Sequence, residues 1–282
     1  MNYIFFGTPE FAAIILKKLI NAGLLPKIVV CNPDRPVGRK KNITAPPVKL
    51  LIRDSEQQIN IKIFQPEKRQ LLDLVPEIKK MDFAIVAAYA QILPQEIITA
   101  PKFGTIGVHP SLLPKYRGAS PIQSAILSGD QETGVTLYKM DEKVDHGSII
   151  SNRKSQIANL NYLELEKKLS KIAAELIIET IPKFLQGEIK PQPQNESQAT
   201  YTKKFTTQDG FIDEKILLQA QDGTNLKSAL EIKHKVRALN PEPGVWTLQN
   251  NKRIKLLEVE IINGKLRLNL IQKDGEKPKK VL

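Results

Sequence analysis

The stretch NYIFFGTPEFAAIILKKLINAGLLPKIVVC, residues 2–31, decides the fold. Its first five residues are an apolar, aromatic-rich run of strand length that stops at Gly7. Pro9 stands where a helix tolerates proline, and apolar residues then recur at helical spacing as far as Gly23. Proline in the first turn and glycine just past the last is the usual asymmetry of a helix. KIVVC, 27–31, is a second strand-like run. Strand, helix and strand in immediate succession predict a parallel pair joined by a crossover helix.

The alternation continues downstream. VKLLIRDSEQQ (48–58) predicts a helix and IKIFQP (61–66) a short strand. DFAIVAA (82–88) and GTIGVH (104–109) are the continuous apolar runs expected of strands buried on both faces. GVTLYKM (134–140) and GSIISNRKSQI (147–157) predict two more strands. A helix over 161–186 places Leu165, Leu169, Ile172, Leu176, Ile177 and Ile181 along one face. The class is therefore α/β, a mostly parallel sheet with helices on both sides. Such sheets bind ligands beyond the carboxyl ends of their strands. The loops after Phe6, Cys31, Ala88, Val108 and Met140 are the places to look for chemistry.

At QGEIKPQPQNESQAT (186–200) the pattern gives way to Pro, Gln, Asn and Ser, the composition of an extended linker. It divides the chain into residues 1–187, a linker at 188–202 and a second domain at 203–282. In the last, GVWTLQ (244–249), RIKLLEVEII (253–262) and KLRLNLIQ (265–272) read as strands, with NGK (263–265) as a hairpin turn. KSALEIKHKVRALN (227–240) reads as a helix. A small β-barrel with one helix is expected.

The formal net charge of +12 points to an anionic partner. Residues 203–282 hold 16 Lys and Arg against 10 Asp and Glu, so positive charge is densest in the second domain. One cysteine and three scattered histidines argue against a disulfide framework and a zinc site. No apolar run approaches the ~20 residues of a membrane span. The first residues lack a basic, apolar leader pattern, so a cytoplasmic protein is expected. FFGTPEFA has one glycine before its helix and no GxGxxG, so a dinucleotide site is not expected.

His109 ends a predicted strand, where α/β enzymes place functional groups. MDEKVDHG (140–147) follows another strand and offers Asp141, Glu142 and Asp145. A carboxylate beside an imidazole fixes its tautomer and stabilises its protonated form, which lets the pair take a proton from an attacking amine. The loop PSLLPKYRG (110–118) would wall a pocket beside it. Spacing alone leaves two readings open, a functional His109 and a structural one with its hydrogen bonds satisfied.

Four blocks carry a resemblance: FFGTPEFA (5–12), CNPDRPVGR (31–39), VHPSLLPKYRGASPIQSAILSGDQETGVTLYKMDEKVDHG (108–147) and YTKKFTTQDGFID (201–213). Together they resemble the methionyl-tRNA formyltransferases almost end to end. The resemblance implies a Rossmann-like formyltransferase domain followed by an OB-like barrel that binds tRNA. It implies 10-formyltetrahydrofolate as the formyl donor, with no metal, and the α-amine of methionyl initiator tRNA as the acceptor, in translation initiation by a monomer. His109 and Asp145 match the family's catalytic His and Asp. Ser111, Leu112, Leu113 and Pro114 match its tetrahydrofolate segment. The loop of Ala88, Tyr89, Ala90, Gln91, Ile92 and Leu93 matches the backbone partners of the pterin. Arg35, Arg39, Lys40 and Lys41 match a basic loop that receives the tRNA acceptor end. In the barrel, Lys203, Lys204, Lys235 and Arg237 belong to a basic stripe suited to phosphates.

The resemblance breaks at Gly107, where the family has an Asn whose amide would help hold the formyl oxygen as it becomes an oxyanion. Losing such a donor costs about 10²–10³ in rate. A backbone N–H or water replaces it, or the enzyme is slow, or the protein binds without turnover. Glu214 stands where the family has Trp, and the chain ends early. An amino-sugar formyltransferase is the other enzymatic reading, opposed by the lysine-rich second domain. His146 is a rival imidazole read as loop surface, and Trp246 is read as core.

Overall fold

The computed structural model describes residues 1–37, 41–54 and 61–281. They form two compact units. One is Met1–Arg117, Thr133–Ser155 and Glu166–Tyr201; the other is Gly118–Glu132, Gln156–Leu165 and Thr202–Leu282.

The opening stretch folds as its pattern predicts. Strand β1 (Tyr3–Gly7) leads through Pro9 into helix α1 (Glu10–Asn21), and β2 (Ile28–Val30) returns parallel to β1. Gly23 follows the helix with φ of +79°. The next segment, expected to be a plain loop, is instead an antiparallel hairpin of β3 (Arg35–Val37) and β4 (Asn42–Thr44). Helix α2 (Pro47–Arg53) follows, starting on a proline. Strand β5 (Lys62–Phe64), helix α3 (Val75–Ile78), strand β6 (Phe83–Ala87), helix α4 (Gln95–Thr99) and strand β7 (Thr105–His109) complete the alternating half. Next come the two-residue strand β8 (Arg117–Gly118), helix α5 (Pro121–Leu127), strand β9 (Glu132–Lys139), strand β10 (Ile149–Gln156) and the long helix α6 (Tyr162–Leu185).

The seven-stranded sheet has the order β10-β9-β7-β6-β1-β2-β5. From β5 to β7 every pairing is parallel, and β9 joins β7 antiparallel. The chain runs outward from β1 through β2 to β5, then restarts at β6 on the other side of β1. This is a topological switch point, and the crevice beyond the carboxyl ends of β1 and β6 is where such sheets take ligands. Every residue of β1 and β7 is buried, as their unbroken apolar runs require. Ile4 and Phe6 face one side of the sheet, packed with Leu71, Ile78 and Ile97. Each such side chain contributes about 1.5–3 kcal/mol when fully buried. Along α6, Leu165, Leu169, Leu176, Ile177 and Ile181 are buried as expected, while Ile172 is half-buried.

The second unit carries two helices where one was expected among residues 203–282. After the short strand β11 (Tyr201–Thr202), helix α7 (Glu214–Asp222) begins on Asp213, whose carboxylate accepts from the backbone N–H of Lys215 and Ile216, and ends at Gly223 with φ of +87°. Glu214 lies in the first turn, where its charge suits the helix dipole. Helix α8 (Leu226–Leu239) is capped by Asn225 and buries Ala229, Ile232, Val236 and Leu239. Strands β12 (Trp246–Gln249), β13 (Lys252–Ile262), β14 (Lys265–Lys273) and β15 (Lys279–Lys280) form a four-stranded sheet whose successive pairs are antiparallel, consistent with a small barrel. Asn263 and Gly264 both have positive φ, the turn that joins β13 to β14 without splaying them. Trp246 packs on Phe211 and lies under the Arg253 guanidinium, 4.3 Å from its ring centre, with its N–H on the Thr207 carbonyl. Among the described residues no helix is long and apolar enough to cross a membrane.

Candidate active site

His109 is the last residue of β7 and its side chain is 7% exposed. Its Nε2 lies 2.8 Å from the Tyr116 carbonyl. A carbonyl oxygen only accepts, so the proton is assigned to Nε2 and the basic atom is Nδ1. Nδ1 faces Asp145 Oδ2 across 3.5 Å, ion-pair range rather than a close hydrogen bond. A proton arriving at Nδ1 would be held by that carboxylate. Sequence brought these two residues together by resemblance, and the fold places them side by side.

Asp145 has φ of +50°, a conformation uncommon for any residue but glycine. Three groups are among its neighbours. Its Oδ1 accepts the Tyr138 hydroxyl at 2.7 Å, Oδ2 faces His109, and its carbonyl accepts the Gln194 amide at 2.9 Å. Gln194 donates also to the Gly147 carbonyl at 2.8 Å, so one side chain ties down the 145–147 turn. Tyr138 is 4% exposed and lies directly opposite Gly107 in the β7–β9 register. Burial first, then the neighbouring Asp145 charge, holds its phenol well above the ordinary range, so it stays a donor.

The segment Ser111–Pro114 is fixed from β9. Thr136 donates its hydroxyl to the Ser111 carbonyl at 2.7 Å and accepts the Leu113 N–H at 3.1 Å. Ser111 donates to the Lys115 carbonyl at 2.6 Å. In the loop 88–93, Ala88 has φ of +49°, Leu93 is buried in the core, and Ile92 is exposed. The Tyr89 ring meets Phe6 edge-on. The Gln91 amide donates to Asn32 Oδ1 and the Pro66 carbonyl, both at 3.1 Å. Two buried atoms of this loop, the Tyr89 hydroxyl and Gln91 Oε1, have no hydrogen-bond partner among the described residues. Buried polar groups are ordinarily satisfied. Two orphans beside the switch-point crevice fit a loop that binds a polar-edged ligand.

The segment read as a linker from its composition is anchored to the first unit along its length. Gln192 exchanges backbone hydrogen bonds with Ile149, and Thr200 accepts from the backbone of Tyr116 and Arg117. The Arg117 side chain is fully buried; it bonds both oxygens of Glu196, at 2.6 and 2.9 Å, with Gln194 and the Tyr201 hydroxyl. Hydrogen bonding to Arg117 holds the Glu196 carboxyl below its usual range. His146 is engaged by other carboxylates, with Nδ1 2.5 Å from Asp141 and Nε2 3.5 Å from Glu196. Sequence reasoning missed Tyr138, Thr136, Arg117 and Gln194. The strand pattern GVTLYKM put Thr136 and Tyr138 two apart on one face, but nothing in it placed that face beside His109.

The basic residues differ in how they are engaged. Arg35 pairs with Glu67 at 3.0 Å in an exposed setting, and Lys41 is exposed. Arg39 and Lys40 lie outside the described residues. Lys203 pairs with Asp209, Lys204 is exposed, and Lys235 reaches the Phe211 carbonyl at 3.4 Å. Arg237 donates to the Ala158 and Leu160 carbonyls at 2.8–3.1 Å. These contacts leave Arg237 holding its own unit together.

Comparison with known proteins decides the family. The model for formyl transferase matches residues 1–181, and that for the formyl transferase C-terminal domain matches 226–277. A methionyl-tRNA formyltransferase of Thermodesulfovibrio yellowstonii is 40% identical over 273 residues, covering 96% of this chain and 83% of the relative. The chain belongs to the methionyl-tRNA formyltransferases. The fold of this formyltransferase is similar to that of the Clostridium thermocellum methionyl-tRNA formyltransferase, with a TM-score of 0.60 at 19% identity, covering 97% of this chain and 98% of that one. It is also similar to HypX from Aquifex aeolicus in complex with tetrahydrofolic acid, with a TM-score of 0.64 at 16% identity; this chain is matched over 99% of its length and spans 45% of HypX. At such identities the structures speak for the fold. Among the described residues of this formyltransferase, no three His, Cys, Asp or Glu side chains are grouped as metal ligands.

Proposed function

We propose that the protein transfers a formyl group from 10-formyltetrahydrofolate to the α-amine of methionyl initiator tRNA, in the cytoplasm, for translation initiation. The observation that carries this reading is the His109–Asp145 pair at the carboxyl end of β7 in a member of this family. The neutral amine attacks the formyl carbon and the formyl oxygen becomes an oxyanion. His109 takes the amine's proton at Nδ1, and Asp145 balances the imidazolium. The oxyanion collapses, the bond from the formyl carbon to the folate nitrogen breaks, and that nitrogen takes up the proton held by the His109 imidazolium as it leaves. The loop 88–93, with its two orphaned buried atoms, and the segment Ser111–Pro114 are suited to the folate. Residues 1–187 would carry the chemistry, with 188–202 joining them to a tRNA-binding domain at 203–282. The exposed Lys41 and Lys204 are better suited to phosphates than Arg237, whose guanidinium is engaged.

The test supplies 10-formyltetrahydrofolate with charged initiator tRNA in one arm and nucleotide-linked amino sugars in the other. Formylmethionyl-tRNA as the product supports the proposal. Product in the sugar arm alone, or tRNA binding without turnover, overturns it.

A further inference from the structure

Tyr138 and Gly107 face each other across β7 and β9. An added Cβ on residue 107 would stand 2.7 Å from the Tyr138 oxygen, and nearer still to ring atoms Cε1 and Cζ. Real side chains do not approach that closely, so residue 107 has no room for one while the tyrosine keeps its place. The tyrosine in turn ends on Asp145 Oδ1, 2.7 Å away, and the other oxygen of that carboxylate faces His109. Gly107, Tyr138, Asp145 and His109 thus form one packed line inside the first unit.

We propose that Tyr138 is a positioning residue for formyl transfer: its phenol holds Asp145 Oδ2 toward His109, and Gly107 is glycine because the tyrosine ring fills the space above it. The assignment rests on the formyl-transfer reading. Three features support it. A carboxylate on a residue with positive φ needs an external anchor for its orientation, and Tyr138 supplies one in a place closed to solvent. A phenol donating to Oδ1 draws charge from the carboxylate and so tempers the pull of Oδ2 on an imidazolium. The ring is the wall of β7 at this position, so a larger residue 107 and Tyr138 compete for the same volume. Among the described residues, the charges that act on the Tyr138 phenol are Asp145 and, after it, Asp141, which is engaged with His146.

The experiment is a set of variants assayed first against active wild-type protein, which separates failure of this inference from failure of the formyl-transfer reading. Tyr138→Phe keeps the ring and removes the donor. Its kcat should fall about ten- to a hundredfold, the size of a lost hydrogen bond to a charged group, with KM for tRNA little changed. A kcat equal to wild type, or a loss that falls on KM instead of kcat, would overturn the positioning role. For the packing half, Gly107→Ala, Tyr138→Ala and the double variant are melted side by side. The double variant should be more stable than the sum of the two single losses predicts, as contacting residues require. Additive losses would overturn the shared volume.

Discussion

A neutral His109 with its Nε2 proton on the Tyr116 carbonyl is basic at Nδ1, the atom that faces Asp145. The carboxylate therefore matters through its charge and not its size. Asp145→Asn should keep the fold and lower kcat by about 10² or more, within the usual range for general acid–base catalysis. Steady-state kinetics at fixed pH checks this, and an Asn variant within a factor of two of wild type would remove Asp145 from the proton's path. At Gly107, an asparagine would have to displace the Tyr138 ring. Gly107→Asn should cost about 1–3 kcal/mol of stability, as overpacking does, and give no gain in rate. A melting curve beside a rate measurement decides it; a large rate gain would mean that the amide was missing from an otherwise intact site. His109 was legible from its place at a strand end; Asp145 was one of three carboxylates after another strand, and the resemblance singled it out. Tyr138 was not, because its meeting with Gly107 depends on a strand register that neither segment states.

Elements deliver these residues, and two of them carry tests. The 145–147 turn is held by Gln194, which comes from a segment that composition marks as a spacer. Gln194→Ala removes two hydrogen bonds to backbone carbonyls and the amide oxygen that accepts from the buried Arg117 guanidinium, each hydrogen bond contributing about 1 kcal/mol. It should lower both kcat and the melting temperature, as measured on one preparation, and an unchanged kcat would remove the turn from the catalytic account. On α8, burial first and Arg237 second depress the pKa of His234 from its ordinary 6.5. A histidine with a lowered folded pKa contributes stability that is whole above 6.5 and is lost as pH falls below it. Stability should therefore decline on acidification below 6.5, and His234→Gln should flatten that decline in denaturant titrations. The parallel half of the sheet was legible because buried strands and an amphipathic helix announce themselves by period. The β3–β4 hairpin was not, since Pro36 and flanking charge mask a strand that buries little. Helix α7 was overlooked although Asp213 and Gly223 stand at its two ends as caps; only Leu217 and Ala220 along it are buried, too few for a clear stripe. Docking of the 188–201 segment depends on polar side chains meeting a buried Arg117, and composition carries no such address.

For the whole molecule, a net charge of +12 sets the physics that the proposed tRNA binding would follow. Contacts to phosphates release counterions, so the logarithm of affinity should fall linearly and steeply with the logarithm of salt concentration. Filter binding across a salt series checks this, and a flat response would contradict phosphate contacts. The basic residues that remain exposed are the ones whose loss should reduce that slope. The central claim is that one imidazole, held between Tyr116 and Asp145, carries formyl transfer while binding is spread elsewhere. Its direct measurement is the His109→Ala variant, assayed in parallel for formylation of charged initiator tRNA and for tRNA affinity. Turnover should vanish while affinity stays within about twofold of wild type. Turnover at the wild-type level would contradict the account.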